Sequence, residues 1–423
     1  MNTVTDTIFA SDTFSNITVW DLKCGTSLMN YKSGIINYRC LEVLQNDYVL
    51  GVEKGPLIYA WPLNSQEKIQ EIRMVCPGLI NCFAVSLDGL YIAVSIENKL
   101  LIWQISTGKL LSTVSGHYQS ITVIRWTRDS SDIVTGGEDG LICVWKLSHL
   151  ISSNYMYMGI KSSDSTKSQT EARYTFSDHS IKITDLFVGR GGQRTRLFTA
   201  SVDKTCKVYD LATGNQLLSI VFDVRPTCIV VDVPEINVFI GTTEGTIKTF
   251  SLLDPPRSLN QHFDDCGVDC TFKGHTKSVT CLSMSTDECM LISGSADETI
   301  KVWYIHNRQC VRTIRMRGSI TNLVIKTLSK QFNSYQFQPK SILKSFQKRY
   351  DENPIETIDI FCPVDNYSSC SSDEDNSENE VAVLSKKLEE MKQINRELFY
   401  FAKEQILNNN IMNAHKSNKV KNK

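Results

Sequence analysis

At 423 residues and 41% hydrophobic positions, the chain exceeds one small domain and has ample material for a large core. A formal net charge of -1 excludes a uniformly basic nucleic-acid binder, though not a local basic patch. The N-terminus lacks a basic start and an apolar core, and no apolar run is long enough to span a bilayer, so neither a signal peptide nor membrane attachment is expected.

The chain opens with two strand-like runs, 4–10 and 16–22, and then repeats a mark. Strand-closing aromatics stand at Trp20, Trp61, Trp103, Trp145, Tyr209, Phe250 and Trp303, the first four 41 or 42 residues apart. That spacing suits repeats of four short strands, and seven marks predict seven blades. Too few residues precede Trp20 for four strands, and two more runs, 309–316 and 320–328, follow Trp303. Two N-terminal and two C-terminal strands are therefore expected to share one blade, a clasp that hides the sheet edges. Deleting residues 1–22 should then unfold the ring. Fourteen cysteines, mostly in strand-like segments (Cys82, Cys143, Cys228, Cys281), read as small hydrophobes in a reducing compartment.

Residues 116–145, GHYQSITVIRWTRDSSDIVTGGEDGLICVW, carry the repeat most fully, and 274–303 repeat its frame. Period-two alternation broken by Gly/Asp turns predicts short antiparallel strands. His117, Thr135, Asp139 and Trp145 match His275, Ser293, Asp297 and Trp303. Such a set closes a local network: Asp accepts from His, and the hydroxyl links the ring to the indole N–H. Buried polar groups cost about 1–3 kcal/mol unless paired, so a closed network pins one strand register. At this spacing, with a Trp completing the set, the reading is structural and not catalytic. Residues 51–63 and 230–250 lack both the Gly-His pair and the turn Asp, and are expected to rely on packing alone. The fifth repeat keeps Asp178, His179, Thr199 and Asp203 but closes on Tyr209.

Three insertions stand out: 148–173, 189–196 (GRGGQRTR) and 254–271. Strand counting places the turns bearing His117 and Asp139 on a top face. It places the inter-blade and second-to-third-strand connections, with all three insertions, on the bottom. A docking surface on that bottom face is expected. The glycine-rich 189–192 lacks the features of a phosphate cradle, although Arg190, Arg194 and Arg196 could touch RNA phosphate. His262, Cys266, Cys270 and His275 are spaced too widely for a usual zinc site, and His275 already belongs to the repeat frame. No catalytic motif, metal site or cofactor is expected.

Residues 329–350 form a basic and aromatic arm, either packed on the ring or meeting nucleic acid. Residues 351–379 are an acidic, Ser-rich stretch read as a disordered linker, in which Ser371, Ser372 and Ser377 each have an acid three residues on and are candidate phosphorylation sites. Residues 380–408 predict a coiled-coil-like helix followed by a basic tail, 409–423. Its seam runs through Val381, Leu384, Leu388, Met391, Asn395, Leu398 and Ala402, with Phe401 beside it. Homodimeric pairing and docking in a partner's groove both remain open.

The repeat residues resemble the WD-repeat family, which implies an all-β, seven-bladed propeller closed by shared terminal strands. The runs 74–94 (MVCPGLINCFAVSLDGLYIAV), 106–119 (STGKLLSTVSGHYQ), 217–224 (LLSIVFDV) and 393–401 (QINRELFYF) further resemble the WD-repeat-protein-eighteen and yeast Ipi-three family. That resemblance implies a non-enzymatic subunit of the Rix-type complex in large-subunit ribosome maturation. It implies as partners a helical-repeat scaffold of the PELP/Rix type, a TEX-type subunit, the midasin AAA-ATPase and ribosome precursors, with direct RNA contact left open. It places the protein in the nucleolus and nucleoplasm, with a cytoplasmic pool open. Two other classes stay in play: a substrate receptor or signalling adaptor binding through the top face, and an enzyme or metalloprotein.

Overall fold

The computed structural model describes residues 4–14, 16–151, 172–253, 258–263, 271–329, 339 and 341–347. These all belong to one compact unit, Met1–Pro354. They build seven sheets arranged as a seven-bladed β-propeller. The innermost strands of the blades touch in a closed circuit: Leu41–Leu44, Ile80–Val85, Ile121–Trp126, Ile183–Val188, Pro226–Val231, Val279–Met284, Ile320–Ser329 and back to Leu41–Leu44.

The strands form where the sequence alternates, and their turns demand particular backbones. In blade 4 the turn between Asp132–Gly137 and Ile142–Lys146 places Gly140 at φ 76°, where a Cβ would stand 2.6 Å from the carbonyl oxygen of His179 in the next blade. Only glycine combines that angle with so close an approach. The core lies between blades. Val134, Ile142 and Val144 of blade 4 pack on Ile183, Leu197 and Tyr209 of blade 5, and Ile8 and Ala10 of blade 1 pack on Ile292 and Val302 of blade 7.

Blade 1 closes the ring, but with a different division from the expected two and two. Its order is Ile320–Ser329, Val4–Asp12, Ile17–Asp21, Ser27–Tyr31: one C-terminal strand and three N-terminal ones. Gln309–Arg315 instead forms the outer strand of blade 7. The reason is that the marking aromatics sit on the third strand of each blade, so a fourth always follows. The closing pair runs antiparallel from Val4↔Ser329 to Asp12↔Ile320, with one irregularity at Ser11/Asp12.

The same shift corrects the assignment of faces. His117 lies in an inter-blade loop and Asp139 in a second-to-third-strand turn, so those connections make the top. The insertions 148–173 and 254–271 join third to fourth strands, and 189–196 joins first to second. Both kinds of connection leave their strands at the bottom, for a reason opposite to the one counted, while residues 152–171, 254–257 and 264–270 of the insertions lie outside the described residues. Part of the 254–271 insertion, Asn260–His262, adds a parallel fifth strand to the outer edge of blade 5 beside Gln216–Val221.

Candidate functional site

Blades 4, 5 and 7 carry closed polar clamps. His117 Nε2 is 2.8 Å from Thr135 Oγ1, and Nδ1 is 3.2 Å from an Asp139 oxygen. Trp145 Nε1 donates to Thr135 Oγ1 at 3.0 Å. The donor inventory sets the tautomer: an indole N–H only donates, so Thr135 accepts it and gives its own proton to Nε2, leaving Nδ1–H for the carboxylate. Blade 7 repeats this with His275 Nε2 to Ser293 Oγ at 2.7 Å, Nδ1 to Asp297 at 2.9 Å, and Trp303 Nε1 to Ser293 at 2.8 Å. In blade 5 His179 bridges Thr199 and Asp203, each at 2.8 Å, while the Tyr209 hydroxyl donates to Asp178 at 3.0 Å.

Burial lowers the pKa of His117 and of His275, and their Asp partners only partly offset it. Burial alone would raise the Asp203 carboxyl, yet hydrogen bonds from His179 and Thr205 outweigh it and hold it far below the usual range. Thr135, Thr199 and Ser293 are 0% exposed, so none of these hydroxyls can meet a substrate. The thiols tell a similar story: burial pushes Cys76 and Cys143 up to about 12, leaving them as thiols and poor nucleophiles.

Other blades satisfy their aromatics differently. Blade 2 does not rely on packing alone, because Trp61 Nε1 donates to the Lys32 carbonyl at 3.1 Å and the Tyr31 hydroxyl to the Leu63 carbonyl at 2.9 Å. In blade 6 the hydroxyls of Thr242 and Thr246 bond at 2.9 Å. In blade 3 the partner comes from the arm: Trp103 Nε1 donates to the Gln347 carbonyl at 2.9 Å, and Phe346 stacks on Trp103 with centroids 5.1 Å apart. Leu343 is buried, and Ser341 donates to Asp47 through both backbone N and hydroxyl.

Sequence reasoning missed the loop of residues 32–40 that joins blades 1 and 2. It sends Tyr38 and Arg39 into the central channel, with Arg39 held at φ 58°. Arg39 and Arg125 both pair with Asp185, at 3.4 and 3.3 Å, and Asp185 also accepts the backbone N–H of Ile229 at 3.1 Å. The Tyr38 hydroxyl donates to the Thr280 carbonyl at 2.7 Å, and Asn322 accepts from the Cys40 N–H at 3.0 Å while donating to Ser11 and to the Asn37 carbonyl. The loop thereby bonds blades 1, 5 and 7 across the channel, and Asp185 carries the link on to Arg125 of blade 4 and Ile229 of blade 6. Only its unusual length among the top connections hinted at this.

Among the described residues no group of His, Cys, Asp and Glu side chains is placed to hold a metal. His275 belongs to the blade 7 clamp, and Cys266 and Cys270 lie outside the described residues, as do Ser371, Ser372, Ser377 and the helix residues Leu384, Leu388, Met391, Asn395, Leu398 and Phe401.

Comparison with known proteins agrees with this architecture. The family described as "WD domain, G-beta repeat" matches residues 108–146, 170–210 and 268–304, the blades with closed clamps. WD repeat-containing protein 18 of Danio rerio is 32% identical over 418 residues, covering 92% of this chain and 94% of that protein. The chain belongs to the WD repeat-containing protein 18 family. The Homo sapiens member of the WD repeat-containing protein 18 family is 35% identical over 335 residues, 78% of this chain and 74% of its own. The pre-rRNA-processing protein pro-1 of Caenorhabditis elegans is a more distant relative, 25% identical over 83% of this chain and 65% of its own length.

Proposed function

We propose that this chain is a non-catalytic scaffold in large ribosomal subunit biogenesis, acting in pre-rRNA processing within the nucleus. The observation that carries this reading is near-full-length similarity to the WD repeat-containing protein 18 family together with relatives named for pre-rRNA processing. The burial of every clamp hydroxyl and the raised thiol pKa values support a role without chemistry of its own. A ring of this kind presents loops on a rigid frame and leaves cleavage and energy to other proteins. In finer detail, the proposal is a subunit of a Rix-type complex that holds the PELP/Rix-type scaffold, works beside a TEX-type subunit and helps bring midasin to precursor particles in the nucleolus and nucleoplasm. Residues 380–408 would support assembly, through self-pairing or a partner's groove.

Affinity purification from nuclear extract tests this with the full chain and a truncation ending at residue 350. The expected outcome is recovery of the helical-repeat scaffold, midasin and internal-spacer RNA precursors by the full chain, weakened in the truncation. Recovery of ubiquitin-ligase or signalling components in their place would overturn the proposal.

A further inference from the structure

The bottom mouth of the channel carries more cationic than acidic side chains. It opens as a cavity of about 530 Å³ whose lining includes Arg125, Arg128, Arg190, Lys326 and one acid, Glu42. Arg125 is committed to Asp185 and to the Leu186 carbonyl. Among the described residues no carboxylate lies in ion-pair range of Arg128, Arg190 or Lys326. Two acids nearby keep their charge but lie outside ion-pair range of these cations: Asp6, held by Thr286 and Thr327 of the lining, and Asp129, held by Ser131. Burial and, after it, the neighbouring Arg128 disfavour the charge of Arg190, and Glu288 partly counteracts them. Two like charges held close together raise the energy of the empty site and reward an anion that enters it.

We infer that this mouth binds an acidic peptide segment of a partner protein, with an apolar residue beside its carboxylates. Two features favour a peptide over a nucleic-acid strand. The cavity is a half-open mouth within the size range of pockets for small groups (roughly 300–1,000 Å³), not a long groove that tracks a backbone. Leu87, 56% exposed at the rim, and Phe187 offer an apolar wall for a neighbouring side chain.

The test is fluorescence anisotropy on the full chain with a short labelled Asp/Glu peptide containing leucine, the same peptide with alanine for leucine, and oligouridylate of equal charge. It does not depend on the ribosomal proposal, because the probes are synthetic. The expected result is binding of the leucine peptide that weakens with salt. Arg128→Glu with Arg190→Glu should reduce its affinity by about tenfold or more, and Lys204→Glu with Lys277→Glu on the top face should leave it unchanged. Arg128 and Arg190 are both exposed, so an unchanged melting curve is expected for the reversal; were it to shift, Arg128→Gln with Arg190→Gln should still lower affinity. Absence of peptide binding, or binding indifferent to both pairs of bottom substitutions, overturns the inference. So does tighter binding of oligouridylate that the peptide cannot displace, which would make the mouth a nucleic-acid site.

Discussion

Blades 4 and 7 close their polar networks from within one repeat, whereas blades 2 and 3 borrow their partners from distant chain. Trp145 and Trp303 find their hydroxyls ten residues back, on the neighbouring strand. Trp61 and Trp103 must find carbonyls elsewhere, at Lys32 in the loop that also supplies Arg39 and at Gln347 in the arm. A buried indole N–H has to be paired in either case. The difference is that one kind of blade carries its own register lock and the other is locked only once the rest of the ring is in place. The borrowed half of the ring is therefore where the loop and the arm act as structure.

The comparison breaks most completely at the closing blade. Deleting residues 1–22 removes two inner strands of blade 1 and leaves Ile320–Ser329 without its antiparallel partner, so the circular-dichroism signature of the whole ring should be lost, clamped blades included. Next in size is Asp185→Ala, which strands Arg39 and Arg125 in the channel. Removing one partner of a buried ion pair costs about 3–5 kcal/mol, and urea titration should show a shift of that order. If the cost is under about 1 kcal/mol, the loop is not a cross-ring tie.

Smaller effects separate the two kinds of blade. Asp139→Ala leaves the His117 N–H and the backbone N–H groups of Tyr118 and Leu141 without their acceptor. A loss of about 1–3 kcal/mol is expected, with hydrogen exchange rising first in blade 4. Phe346→Leu, which keeps most of the buried volume, should cost about 1 kcal/mol through the lost stacking, redden the emission of Trp103 and leave blades 4, 5 and 7 protected from exchange. Global unfolding by Phe346→Leu would mean that the borrowed contacts matter as much as the clamps.

Acid provides the mildest probe. His117 and His275 are buried neutral, with pKa values below the unfolded value of 6.5. The unfolded chain takes up protons first, so stability should fall as pH drops below 6.5 and hold above it. Asp203 and Asp297, with lowered pKa values, stabilise the fold above the ordinary carboxylate pKa of 3.8 and lose that contribution as pH falls further. Replacing His275 with Gln should flatten the melting-temperature slope just below pH 6.5; an unchanged slope would mean that this ring does not titrate there.

Sequence alone determined what is local. Alternation, Gly/Asp turns and recurring His, hydroxyl, Asp and Trp positions lie within some thirty residues of one another, and they were enough for the seven blades and the members of two clamps. That strands from both sides of the seven marks share one blade was also legible, in the two strand-like runs that follow Trp303. Only the tertiary structure decided the one-plus-three division of blade 1, because the strand after each aromatic carries no mark of its own. It likewise decided where Arg39, Asp185, Asn322 and Phe346 go. Their partners lie far off in sequence, as with Trp103 and Gln347 or Cys40 and Asn322, and a pairing that exists only after ring closure leaves no periodicity for a sequence to display.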